Sequence, residues 1–270
     1  MRNIAVILSL LVLLDTGAGT APKKYVALTF DDGPTGRYTA QLLDMLEEKG
    51  VRATFFVCGY RVAQYPALTA QIAEGGHEIG LHGFSHAYFS KLSGKELDDE
   101  LTRSCHLIAE ASGTAPTLVR PPGGLMPEKD GGVFSEYSVI LWSVDPEDWA
   151  THSAERTVRR VLKCVQPGDI ILLHDASESS VEAAGEIIDA LQAQGYTFLT
   201  VSQLAAAYGT VPQAGCVYHR FSEQLSKDTS SVAAYAVPPV SLRLGHRAAL
   251  TVHRTVIHFR TVASLPQGES

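Results

Sequence analysis

Residues 25–34 read YVALTFDDGP, an apolar run that stops abruptly on two carboxylates and a Gly-Pro turn. A short run that is apolar at both odd and even positions is expected of a strand covered on both faces. Working outward from it, similar runs predict strands at 25–30, 53–57, 78–81, 117–119, 138–143, 169–173 and 197–201. Helical periodicity fills the intervals at 39–49, 67–74, 94–111, 154–165 and 181–194. Gly50, Gly75, Gly113 and Gly195 stand just past four of these helices, where a left-handed residue is expected to end each one. Strands that alternate with helices imply parallel pairing through helical crossovers. Seven such units predict an α/β fold of the distorted (β/α)7 barrel type, open or incomplete. Pattern alone leaves the flat doubly wound sheet as the alternative.

The chain has 270 residues, 45% of them apolar and 19% charged, enough to bury a sizeable core. Its formal charge of −7 argues against nucleic acid as the main partner, because phosphate binding needs a basic surface. Nothing in the sequence marks a stable protein partner. Residues 1–21 read as an export signal: Arg2, an apolar stretch over 4–14 broken only by Ser9, then small residues with cleavage expected after Ala18 or Ala21. The alternative is an uncleaved anchor, but the apolar stretch is shorter than the roughly 20 residues a spanning helix needs. A secreted or cell-envelope location is therefore expected. Cys58, Cys105, Cys164 and Cys216 match no C-x-x-C pattern. Export would permit disulfides, sequence does not pair them, and Cys58 reads as a small buried residue. The strand–helix rhythm stops near Val211. The expected domain is 22–210, followed by a tail of uncertain order over 211–270 with one short strand at 249–259.

Ionisable residues gather at the ends of the expected strands. Asp31 and Asp32 follow the first, His82 and His86 the third, and Arg120 the fourth. Asp145 and Asp148 follow the fifth, and His174 and Asp175 the sixth. In parallel α/β folds the carboxyl ends of the strands are where ligand and catalytic groups collect. Asp31 and Asp32 end an apolar strand, where carboxylates need a partner. A turn explains Asp-Asp-Gly-Pro equally well. His82 and His86 are four apart, which on a helical turn puts both rings on one face, within reach of one metal. Two unrelated loop histidines are the plainer reading of that pair in isolation. Two His and one carboxylate with an open fourth position form a catalytic zinc-type set.

These segments resemble the motifs of the NodB-homology polysaccharide deacetylases, carbohydrate esterase family four, over residues 24–209. Thr29-Phe30-Asp31-Asp32-Gly33-Pro34, His82-Gly83-Phe84-Ser85-His86, Arg120-Pro121-Pro122-Gly123-Gly124, Asp145-Pro146-Glu147-Asp148-Trp149 and Leu172-Leu173-His174 match five motifs in order. The resemblance implies Asp31 as general base, and Asp32, His82 and His86 as ligands of one divalent ion, Zn first with Co or Ni fitting the same donors. It implies His174 as general acid, Arg120 holding Asp31, and Asp148 tuning the Arg and His network. Trp149 and Leu172 would wall the acetyl methyl, and the Gly123 N–H would help bind the oxyanion. Plainer readings are core packing for Trp149 and a surface ion pair for Arg120. Many relatives carry Tyr where this chain has Gly123, so a wider, more flexible groove wall is expected. The implied substrate is an N-acetylated polysaccharide, peptidoglycan first, with chitin oligomers and acetylxylan as alternatives.

Two readings of other classes compete. Gly83-Phe84-Ser85-His86-Ala87 nearly matches the nucleophile elbow of a serine esterase, with Ser85, Asp148 and His174 in chain order. The last Gly is Ala, however, and no helix follows directly. A non-catalytic carbohydrate binder would have no use for both carboxylates and all three histidines.

Overall fold

The computed structural model describes residues 23–222. Strands β1 (Lys24–Asp31), β2 (Thr54–Val57), β3 (Glu78–Leu81), β4 (Leu118–Val119), β5 (Ser138–Ile140), β6 (Ile170–His174) and β7 (Tyr196–Phe198) form at the seven expected places. All pair in parallel, in the order β6-β1-β2-β3-β4-β5, with β7 beside the start of β1. Past β5 the chain turns in to meet β6. Ser143 and Val144 donate their N–H groups to the Ile170 carbonyl, and Leu172 donates to that of Val144. The sheet thus curls back on itself as a distorted barrel, and the flat alternative is excluded. The helices are α1 (Arg37–Glu48), α2 (Gly59–Gln64), α3 (Pro66–Glu74), α4 (Gly94–Ser112), α5 (Asp148–Thr151), α6 (Ala154–Cys164), α7 (Glu178–Ala193) and α8 (Val201–Ala207). No described helix is long and apolar enough to cross a membrane.

Side chains alternate between the two faces of a strand, and here the alternation sorts core from site. Leu28 and Phe30 of β1 pack with Phe55, Leu81, Val119 and Leu173 in a core shared with α1 and α7. The alternate residues Ala27, Phe56, Leu118, Ile140 and Ile170 line the concave face, which Val201, Leu204, Ala205, Tyr218 and Phe221 close from beneath. Further along the same alternation the concave series reaches Asp31, four residues past Ala27, Arg120, two past Leu118, and His174, four past Ile170, with His82 two past Gly80 of β3. One periodicity therefore builds the apolar floor and delivers four functional groups to one mouth above it.

Besides β5, which stops at Ile140 where strand was expected to residue 143, the structure differs from expectation in four places. The last expected strand ends at Phe198, and Val201 begins α8. Thr200 and Gln203 form a capping box there, which starts a helix where β-branched residues suggested more strand. The left-handed residue after α3 is Gly76 (φ 74°), while Gly75 stays helical at φ −69°. His82 and His86 lie in a loop rather than on one helical turn. Finally, the packed domain passes the expected boundary at 210. A short strand β8 (Val217–Tyr218) pairs with β5, and Phe221 is fully buried. At two residues the strand is too short to register as another strand–helix unit. The expected signal over 1–21 and the strand at 249–259 lie outside the described residues. All four cysteines are free, and Cys58 is fully buried.

Candidate active site

The first group at the mouth is a three-residue ligand set. Asp32 Oδ1 lies 3.3 Å from His82 Nε2 and 3.0 Å from His86 Nε2. One ligand atom from each residue falls within 4.8 Å of the other two. The orientation of His82 follows from its other nitrogen. Nδ1 is 2.7 Å from the Arg120 carbonyl, which can only accept, so Nδ1 carries a proton and Nε2 is the ring nitrogen that faces Asp32. Asp32 Oδ1 is buried and receives no well-formed hydrogen bond. Burial opposes its ionisation, but the two imidazoles outweigh burial and hold the carboxyl far below the usual range. Its contact with Asp32 in turn raises the pKa of His86. A buried carboxylate oxygen beside two imidazole nitrogens favours positive charge among them, and a divalent cation fits that donor set.

On one side of this set stands a buried ion pair. Arg120 is fully buried and Asp31 is 3% exposed, so the surface-pair reading of Arg120 is excluded. Arg120 Nη1 donates to Asp31 Oδ1 at 2.6 Å and to Thr29 Oγ1 at 2.8 Å. Its Nε and Nη2 donate to the carbonyls of Ile140 and Leu141, and its guanidinium stacks 4.0 Å from the centre of the Phe56 ring. Burial presses its pKa down and Asp31 works against that. The pair fixes Asp31 with its second oxygen 3.8 Å from His82 Nε2.

On the other side stands His174. Its Nδ1 is 2.8 Å from Asp148 Oδ1, while its backbone N–H and the Ser180 hydroxyl donate to Asp148 Oδ2 at 2.9 and 2.7 Å. Burial lowers the His174 pKa, but Asp148 overcomes this and the pKa rises to about 9. Burial likewise opposes ionisation of Asp148, and His174 and Ser180 hold its carboxyl below the ordinary value. His174 is thus a cation at neutral pH with Nε2–H free of Asp148. The four hydrogen bonds of Arg120 go to Thr29, Asp31, Ile140 and Leu141, while those of Asp148 go to His174 and Ser180.

The remaining expected residues surround this core. Leu172 is 3% exposed and shares the concave face with Ile170 and His174, one step beneath the imidazole. Trp149 follows Asp148 and is 59% exposed, so it is not a core residue. Gly123 has φ 62°, and a Cβ there would meet Tyr88 Cε1 at 3.1 Å. The groove wall at Gly123 is therefore lined by the Tyr88 ring rather than simply widened. Ser85 donates its hydroxyl to Glu100 Oε1 at 2.8 Å, and the next α-helix begins only at Gly94, so the elbow of a serine esterase is absent. Asp145 accepts the Glu147 N–H and makes a turn.

Sequence reasoning missed Ser180, the hydroxyl donor to Asp148, and two further supports. Asp175 is fully buried beneath the Asp32 loop: it accepts the Thr39 hydroxyl, its carbonyl accepts that of Thr35, and Gly33 packs directly on its carboxylate. Burial pushes its pKa up to about 7. Glu100, on α4, takes three hydrogen bonds from the His82–His86 loop. Asp175 was visible as a strand-end carboxylate without a role. Glu100 follows Asp98 and Asp99 on an amphipathic helix, where a solvated acidic face looks the same.

A family model described as polysaccharide deacetylase matches residues 18–134. A peptidoglycan-N-acetylglucosamine deacetylase of Bacillus cereus is 40% identical over 189 residues, covering 67% of this chain and 88% of that protein. The peptidoglycan-N-acetylmuramic acid deacetylase PdaC of Bacillus subtilis is 43% identical over 183 residues. That match covers 67% of this chain but only 39% of the longer protein. Among solved structures, a family 4 acetyl xylan esterase from Clostridium thermocellum in complex with a cobalt ion superposes with a TM-score of 0.69 at 32% identity, covering 73% of this chain and 98% of that one. The chain belongs to the polysaccharide deacetylase family and is a hydrolase of its carbohydrate esterase family four type.

Proposed function

We propose that this enzyme is a secreted or envelope-bound, metal-dependent deacetylase that removes N-acetyl groups from N-acetylglucosamine-type residues of peptidoglycan. The observation that carries the reading is the convergence at one mouth of Asp32, His82 and His86 with a buried Asp31 on one side and a protonated His174 on the other. The substrate follows from the names of the bacterial relatives, two of which act on peptidoglycan.

Asp32, His82 and His86 would hold the divalent ion, Zn by preference, which when bound supplies polarisation of the acetamide carbonyl and a more acidic water. Asp31, fixed by Arg120, accepts a proton from the attacking water. The Gly123 N–H donates to the oxyanion that develops on the carbonyl oxygen. His174 gives its Nε2 proton to the leaving nitrogen as the C–N bond breaks, leaving acetate and a free amino sugar. Leu172 and the exposed Trp149 border the acetyl methyl.

Acetate release from peptidoglycan, chitooligosaccharides and acetylxylan, before and after chelation, tests this. We expect peptidoglycan to be the best substrate, chelation to abolish release, and added Zn or Co to restore it. Full activity in protein shown metal-free by elemental analysis would overturn the metal reading. Faster release from acetylxylan would overturn the substrate.

A further inference from the structure

Two of the three ligand residues, Asp32 and His86, sit on backbone that L-residues rarely adopt, with φ of 76° and 64°. Such conformations are costly and persist only where the surroundings over-determine them. For His86 the restraint comes from outside the motif. The loop between His82 and His86 wraps around one carboxylate of α4. Glu100 Oε2 accepts the N–H of Phe84 at 2.7 Å and of Ser85 at 2.8 Å, and Oε1 accepts the Ser85 hydroxyl at 2.8 Å. One turn along α4, the guanidinium of Arg103 lies 3.5 Å from the centre of the Phe84 ring. Gly83 lets the loop close down, since a Cβ there would stand 3.2 Å from Glu100 Oε2.

We propose that Glu100 is a positioning residue that presets the His82–His86 loop and thereby sets the affinity of the enzyme for its divalent ion. The inference rests on the metal reading above. Glu100 itself accepts donors from the loop and makes no hydrogen bond to either imidazole. It acts by holding the peptide that joins them, so that the second histidine is already in its left-handed conformation before an ion arrives. Without that carboxylate, two backbone N–H groups lose their acceptor and the loop is free to relax to ordinary φ, carrying the His86 ring away from Asp32. Supporting partners of this kind, when removed, typically lower metal affinity by about 10–100-fold.

The test is the dissociation constant of Zn or Co, by chelator competition, for the full chain and for Glu100→Ala, Glu100→Gln and Asp99→Ala. Wild type must bind first: if it holds neither ion, the metal reading itself has failed, independently of Glu100. Given binding, we expect Glu100→Ala to weaken affinity by at least about 10-fold, with turnover at saturating ion changed far less. Glu100→Gln keeps an oxygen for the two N–H groups, and Ser85 can turn to accept from the amide, so affinity should return to within about threefold of wild type. Asp99 is exposed and pairs with Lys95 on the same helix, so Asp99→Ala should bind as wild type does. Wild-type affinity in Glu100→Ala overturns the proposal, as does an equal loss in Asp99→Ala or in Glu100→Gln. If Glu100→Ala does not fold, the Gln variant with Ser85→Ala decides. Affinity unchanged in Gln and lowered in Ser85→Ala supports the clamp, and wild-type affinity in Ser85→Ala overturns it.

Discussion

The two flanks of the ligand set solve the same problem, an ionised group held ready at the edge of a core, in different ways. Asp31 is locked into a dry ion pair, with a partner that is fully buried and makes four hydrogen bonds across β1 and the end of β5. His174 keeps 16% of its side chain exposed, and only its partner Asp148 is buried. The difference suits the opposite duties proposed for them. A base must be ionised and aimed when the water arrives, and a guanidinium favours both. An acid must lose a proton and regain one, which a partly exposed imidazole on a buried carboxylate allows. Breaking the first flank should therefore damage fold and chemistry together, while breaking the second should change mainly the pH at which the chemistry runs.

The largest effect is expected from Asp31→Asn. Arg120 would keep its hydrogen bonds to carbonyls and to Thr29 but lose the one carboxylate paired with it among the described residues. An uncompensated buried charge costs about 3–5 kcal/mol, read as a lower midpoint in denaturant. Turnover should fall by about 10² or more, as for loss of a general base. The ion should stay, since Asp31 is not in the ligand set. Loss of metal from the variant would move Asp31 from base to ligand, and unchanged stability would refute the locked pair.

The same contrast explains what the sequence made legible. Asp31, His82, Arg120 and His174 all end or follow apolar strands, so the hydrophobic pattern placed them before any geometry was known. Their pairing was not legible. Asp31 with Arg120 spans 89 residues and Asp148 with His174 spans 26, and only the curl of the sheet decides that Asp148 reaches His174 and not Arg120. The supports were hidden for another reason. Glu100 and Ser180 lie on helices, where an acidic or hydroxyl side chain has an ordinary solvated explanation. β8 and Phe221 escaped because a two-residue strand has no period to detect, and its burial comes wholly from distant partners.

A smaller effect, and one confined to pH, is expected from Asp148→Asn. His174 is raised from 6.5 to about 9, with Asp148 the main cause acting against burial. A raised folded pKa means the pair stabilises the fold fully below about 6.5 and stops doing so as pH rises through about 9. Asp148 is depressed, so its own share is present above its unfolded pKa and fades as pH falls through the lowered value. The Asn variant removes the charge that holds the imidazolium, and the basic limb of turnover should move from near 9 down toward 6.5. Positive charge at the ligand set would pull both limbs lower by electrostatic repulsion, leaving their order unchanged. Activity at pH 6 should suffer much less than activity at pH 8.5. Parallel losses at both would show that Asp148 only holds the ring in place.

The smallest effect is expected from Ser180→Ala, and its value lies in its sign. The Ser180 hydroxyl is buried and donates to Asp148 Oδ2 at 2.7 Å, while His174 Nδ1 uses the other oxygen. Removing the hydroxyl withdraws one of the donors that share the carboxylate's negative charge. The remaining charge falls more heavily on the imidazolium, so the His174 proton is held more tightly and the basic limb should rise, by less than about one pH unit. Hydrogen bonds to charged groups contribute about 1.5–3 kcal/mol, so a modest loss of stability should accompany the shift. Asp148→Asn and Ser180→Ala therefore act on one carboxylate and should move the limb in opposite directions. Nδ1 shifts of His174, followed by NMR against pH in the metal-free protein, read that difference without turnover. A fall in the Ser180→Ala pKa would mean that the hydroxyl chiefly aims Asp148 at the ring, and the acid flank would then resemble the base flank in being built on geometry first.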